Sequence, residues 1–116
     1  MPEHMTEAEF TRSIRLQVID TARAMLKRQT SFLAGVRKLV ALRHDAGVAD
    51  NDPDFMVFVV IESDTDELPI GTVRDHWNTH ALARLEPEIQ AAETWARDQG
   101  AAACASLIAR FTQSAA

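Results

Sequence analysis

Carboxylates gather in the middle of this chain. Asp50, Asp52 and Asp54 alternate, and Glu62, Asp64, Asp66 and Glu67 follow one short apolar run later. Converging carboxylates suit a hard cation, because calcium and magnesium take several oxygen ligands at once. Neither tract completes such a set. The first opens like a calcium loop, but Pro53 interrupts it, Phe55 stands where glycine must turn, and Ile61 replaces the closing bidentate glutamate. In the second, Glu67 falls at the glycine position. His76 and His80 are four apart, as two zinc ligands on one helix face often are. Asn78 between them reads as a helix cap, which would put the two imidazoles on different elements. We therefore expect no metal ion and no cofactor. A metal-dependent hydrolase using Glu62, Asp64 and Asp66 with His76 or His80 is the alternative reading.

Nucleophilic and redox chemistry have less support. Cys104 is the single cysteine and lies on an apolar helical face, which suits a small buried hydrophobe. No nucleotide-binding glycine loop and no nucleophile elbow occurs. No residue is assigned a catalytic role, and an enzyme is not the expectation.

Charge is distributed unevenly. Residues 1–43 hold eight basic and four acidic side chains, whereas residues 44–73 hold eight acidic and none basic. Residues 74–116 are near balance, and the net charge is −5. The basic residues are too few, and too far offset in sequence, to neutralise many phosphates, so nucleic acid is not the expected partner. The acidic segment either packs beside the basic first third or faces a basic protein, whose approach its field would steer. Trp77, close behind that segment, could anchor such a partner, since tryptophan is favoured at interface hot spots. The candidate partner-binding residues are therefore Glu62, Asp64, Asp66, Glu67 and Trp77. Trp95 is a second candidate anchor. Homo-oligomerisation stays open.

The elements that must position these groups are helical. Thr6 to Glu9 has capping-box spacing, and Phe10, Ile14, Val18, Ala22 and Met25, widened by Ile19 and Leu26, give an amphipathic helix over about 6–28. Thr30 or Ser31 caps a second helix that runs to Ala46 and stops at Gly47. The short join favours an antiparallel hairpin. Asp52 and Pro53 suit a third helix start. The seven-residue apolar run Phe55 to Ile61 is the expected centre of the core. Its valines favour strand, but no second β-rich run exists to pair with, so a buried helix over 53–63 is expected and an intermolecular strand is the alternative. A short helix over 70–77 follows. Asn78 or Thr79 caps the next, Pro87 kinks or restarts it, Gly100 ends it, and Cys104, Leu107, Ile108 and Phe111 face a last helix. The sum is an all-α single domain of five or six helices.

The run Ile-Glu-Ser-Asp-Thr-Asp-Glu-Leu-Pro-Ile-Gly within Phe58 to Gly71, followed by Val73-Arg74 and Trp77, resembles a family of small uncharacterised bacterial proteins, a domain of unknown function. Leu85 to Ala96 and Cys104 to Phe111 are similar too. The resemblance implies a bacterial cytoplasmic protein and carries over no catalytic residue. Cytoplasmic location also fits the lone cysteine, the polar first residues and the lack of an apolar stretch long enough for a membrane. The expected function is a non-enzymatic binding protein, such as a toxin-neutralising or regulatory partner, using an acidic surface.

Overall fold

Two helices folded back on each other open the structure, a computed structural model that describes residues 5–114. Helix α1 is Glu7–Leu26 and helix α2 is Phe32–Leu42. Thr6 caps α1 by accepting from the Glu9 amide, while its hydroxyl donates to the Glu9 carboxylate. Arg28 closes α1 in the left-handed region at φ 59, with Gln29 N–H donating to Ala24 O and Arg28 N–H to Met25 O. That pair of bonds is the Schellman pattern, which satisfies carbonyls the helix end leaves free. Ser31 caps α2 through the Ala34 amide.

The expected stripe on α1 is buried from Ile14 to Met25, but Phe10 stays 42% exposed. No residue of Glu7 to Ser13 is buried, so the first two turns overhang the core. Helix α2 tightens into a 3-10 turn at Arg43–Asp45, and Gly47 at φ 70 stops it as expected. The left-handed geometry costs glycine nothing.

Helix α3, Pro53–Thr65, settles the ambiguous run. Asp52 accepts from the amides of Asp54 and Phe55, and Pro53 occupies a first-turn position where no N–H is needed. Of the seven apolar residues, Phe55, Phe58 and Ile61 are buried and Val60 is 56% exposed. A helix can turn only one face to the core, so a run this continuous must leave part of itself outside.

A second 3-10 turn, Gly71–His76, leads into helix α4, Thr79–Ser114. Asn78 caps it by accepting from the His80 and Ala81 amides. Pro87 neither ends nor restarts it. Proline lacks the N–H that would bond Ala83 O, and both residues are exposed, so water can meet that carbonyl. Nor does Gly100 end it. That glycine is buried, and a Cβ there would sit 2.9 Å from Phe32 Cε1 and 3.1 Å from Phe58 Cε1. Gly100 serves close approach of α4 to α2 and α3.

The described chain is all-α, with four α-helices and two 3-10 turns and no strand. Helix α4 packs along α1, α2 and α3, and its Ile89, Ala96, Cys104, Leu107 and Phe111 complete one core with Val18, Phe32, Val36, Phe55 and Phe58. No helix among the described residues is long and apolar enough to cross a membrane. The radius of gyration is 15.5 Å and the extents are 48 × 32 × 25 Å. A chain of this length packed as a compact domain has a radius near ~13 Å. Besides the overhanging start of α1, a second stretch lies outside the core. No residue from Gly71 to Glu88 is buried, so the second 3-10 turn and the start of α4 form a limb beside the core.

Candidate functional site

Two attachments to the core and one internal ion pair hold the limb. Arg37 on α2 donates to Thr65 O at 2.8 Å and to Leu68 O at 3.1 Å, satisfying carbonyls at the end of α3. Pro69 and Ile70 are buried and return the chain to the core. Arg74 then pairs with Glu86 on α4 at 3.0 Å, and Gln90 donates to the other oxygen of the same carboxylate at 2.8 Å. Those two donors, Gln90 first and Arg74 second, hold the Glu86 carboxyl below its usual pKa.

Between the end of α3, the limb and α4 lies a groove of about 570 Å³. Its apolar wall is Leu68, Trp77, Leu85, Ala91, Ala92 and Trp95. Both tryptophans are held with their rings partly in solvent, Trp77 at 40% exposure and Trp95 at 37%. The charged groups on the wall are Asp64, Glu67 and Glu88, all exposed, and no basic residue joins them. Among the described residues none of the three carboxylates is hydrogen-bonded or paired with a cation.

The groove brings together Asp64, Glu67 and Trp77 from the expected set. Glu62 is half-buried on α3 and Asp66 is exposed beyond its end, and neither lines the groove. Sequence reasoning missed Glu88 and the floor of Leu85, Ala91 and Ala92. Leu85, Ala92 and Trp95 recur at helical spacing, but the same stripe also carries Ile89 and Ala96 into the core. The usable signal was Trp95 at the edge of that stripe, with Glu88 about two turns before it on the same face.

The first acidic tract has a different part. Asp52 is only 6% exposed and meets Arg110 of α4 through both oxygens, at 2.6 and 3.1 Å. Arg110 also reaches Asp54 at 2.7 Å, and Ser106 donates to Asp54 at 2.6 Å. The Arg110 hydrogen bonds, opposed by burial, lower the Asp52 pKa, and both carboxylates raise that of Arg110. This is a clasp between the start of α3 and the end of α4. A second joint uses Glu93 of α4, which accepts from the Ser31 hydroxyl and from the Leu33 amide at the start of α2. Beside it Arg97 donates to Met25 O and lies over the Phe32 ring.

Neither acidic tract forms a metal centre with the histidines. Among the described residues no three His, Cys, Asp or Glu side chains come together, and His76 and His80 are both exposed. Cys104 is fully buried, and burial pushes its thiol up to about 12, so it holds little thiolate at neutral pH.

The chain matches no protein-family model, no curated protein and no solved structure.

Proposed function

We propose that this chain is a non-enzymatic binding protein of the bacterial cytoplasm, and that the groove beside the limb receives a basic protein partner. Neutralising or regulating a basic toxin-like protein is one concrete form of that activity. The observation that carries the reading is the wall itself. Two half-exposed tryptophans lie among small aliphatic residues, and every charge around them is an unneutralised carboxylate. Large, rigid aromatic surfaces at the centre of a contact supply most of its binding energy, while like-signed charges at the rim select partners by sign. No basic side chain lines the groove, and Arg37, bonded to Thr65 O and Leu68 O, brings one cation near the α3 end of its wall. Arg15, Arg37 and Arg43 are directed to backbone carbonyls at Ala46, Thr65 and Asp50.

The test is affinity capture from the native cell, comparing the wild-type chain with Trp77→Ala and with Asp64→Asn/Glu67→Gln. A basic protein should be retained by the wild type and lost or strongly depleted with both variants. Trp77 and the two carboxylates are exposed, so both variants should fold, which circular dichroism checks. A partner retained equally by all three chains would remove the groove from the function. The hydrolase reading has no converging carboxylate and imidazole set behind it.

A further inference from the structure

We infer that the segment received by this groove is an amphipathic α-helix with lysine or arginine along its flanks, and not an extended strand. The inference rests on the binding reading above and names the occupant's conformation and chemistry.

The walls decide the conformation. An extended peptide is held chiefly by main-chain pairing with an exposed sheet edge. No strand occurs among the described residues, and the groove is bounded by α3, α4 and the chain between them, so no sheet edge is offered to an extended peptide. At the end of α3 and just past it, Arg37 takes Thr65 O and Leu68 O. An extended partner would therefore enter an apolar site with most of its own amides and carbonyls unmatched, which is costly. A helix satisfies its backbone within itself and can bury side chains without that cost.

The floor fits the same shape. Leu85, Glu88, Ala91, Ala92 and Trp95 span eleven residues of α4, about 15 Å from first to last or nearly three helical turns. Ala91 and Ala92 form the low middle of that face, between Leu85 and Trp95, and small side chains let a second helix axis come close. Residues at i, i+3 or i+4, and i+7 of an incoming helix would meet the floor in turn. Asp64 and Glu67 stand on the α3 side and Glu88 rises from the α4 face itself, so cations are required along the α3 edge and opposite Glu88.

Trp77 and Trp95 are the chain's only tryptophans, and it has no tyrosine. Intrinsic fluorescence therefore reads the groove directly. The experiment titrates the full chain with three synthetic peptides of about five turns, free of tryptophan and tyrosine. One is a helix with a leucine stripe and lysine flanks. The second carries glutamate flanks on the same stripe. The third keeps the lysines but has two central prolines, which abolish the helix. The lysine-flanked helix should give a saturable blue shift, and the other two should give none. Asp64→Asn/Glu67→Gln/Glu88→Gln should weaken it about tenfold, as three exposed charge pairs at modest strength each would. Ala91→Lys, at an exposed position, should abolish it by placing an ammonium on the floor.

An equal response to the proline-containing peptide, or no response to the lysine-flanked helix, would overturn the inference. So would a shift that appears with protein concentration alone and tracks a doubled mass, because the occupant would then be a second copy. Groove-dependent capture of a native partner alongside a silent helix would leave the binding reading standing and remove only the helix. Loss of groove dependence in capture as well would remove both.

Discussion

Asp52 combines two tasks that the sequence shows only singly. Its spacing to Pro53 marks a helix cap, but its bidentate partner, Arg110, is 58 residues away. The folded-state pKa of Asp52 is lowered, so the stability it contributes is present above the ordinary aspartate range. It is lost as pH falls below about 4, through the depressed value. Asp52→Asn keeps a capping oxygen and loses the charge facing Arg110. We expect it to destabilise by about 1–2 kcal/mol at pH 7, with a smaller gap to the wild type at an acid pH below the ordinary aspartate range. Urea unfolding at the two pH values measures this, and a gap independent of pH would mean that the ionic contact contributes nothing. Cys104 gives the second expectation at this scale. With its thiol buried and raised to about 12, a thiol-specific reagent at neutral pH should label the native chain far more slowly than the unfolded one. Native and denatured labelling at the same rate would contradict the burial.

At the scale of elements, the first three helices were legible because each is opened by a cap and bears an apolar face. Their starts at Thr6, Ser31 and Asp52 fall where the side-chain caps were read. The continuity of α4 was not. Pro87 and Gly100 are breakers by local propensity, and tertiary context overrode both. Pro87 faces water, where its unpaired carbonyl partner can be solvated, and Gly100 lies under two phenylalanine rings. The rings decide the sign of Gly100→Ala. Alanine gains about 1 kcal/mol of helix propensity. A methyl forced against Phe32 and Phe58, each almost fully buried, costs about 1–3 kcal/mol. A net loss of about 1 kcal/mol is expected in a denaturant midpoint, and a midpoint that stays or rises would mean that the rings yield to the added methyl. Phe58→Ala tests the same junction from the other side. Phe58 has no exposed surface and should cost about 3–5 kcal/mol. A midpoint that barely moves would place Phe58 outside the core.

For the whole molecule, the N-terminal part of α4 lacks a neighbour on the groove side, which leaves the limb unburied. The sequence could not show this. The apolar stripe of Leu82, Leu85, Ile89, Ala92 and Ala96 is continuous, and nothing local marks where the core stops covering it. The acidic excess of residues 44–73 was legible, but its division was not. Asp52 and Asp54 face Arg110, while Asp64 and Glu67 face the groove. That division yields a kinetic expectation for the basic partner. Asp64→Asn/Glu67→Gln and Glu62→Gln/Asp66→Asn remove equal charge from one short segment. They lie within a Debye length of each other at ~0.1 M salt, about 10 Å, so both should slow association at low salt to a similar extent. Both losses should shrink as salt rises. Dissociation should separate them, because of the two pairs only Asp64 and Glu67 line the groove, and short-range contacts act mainly on the off-rate. The off-rate should rise several-fold for the groove pair and stay near wild type for the other. Surface-based kinetics across a salt series measures both constants. Equal off-rates for the two pairs would mean that the acidic segment steers the partner without the groove holding it.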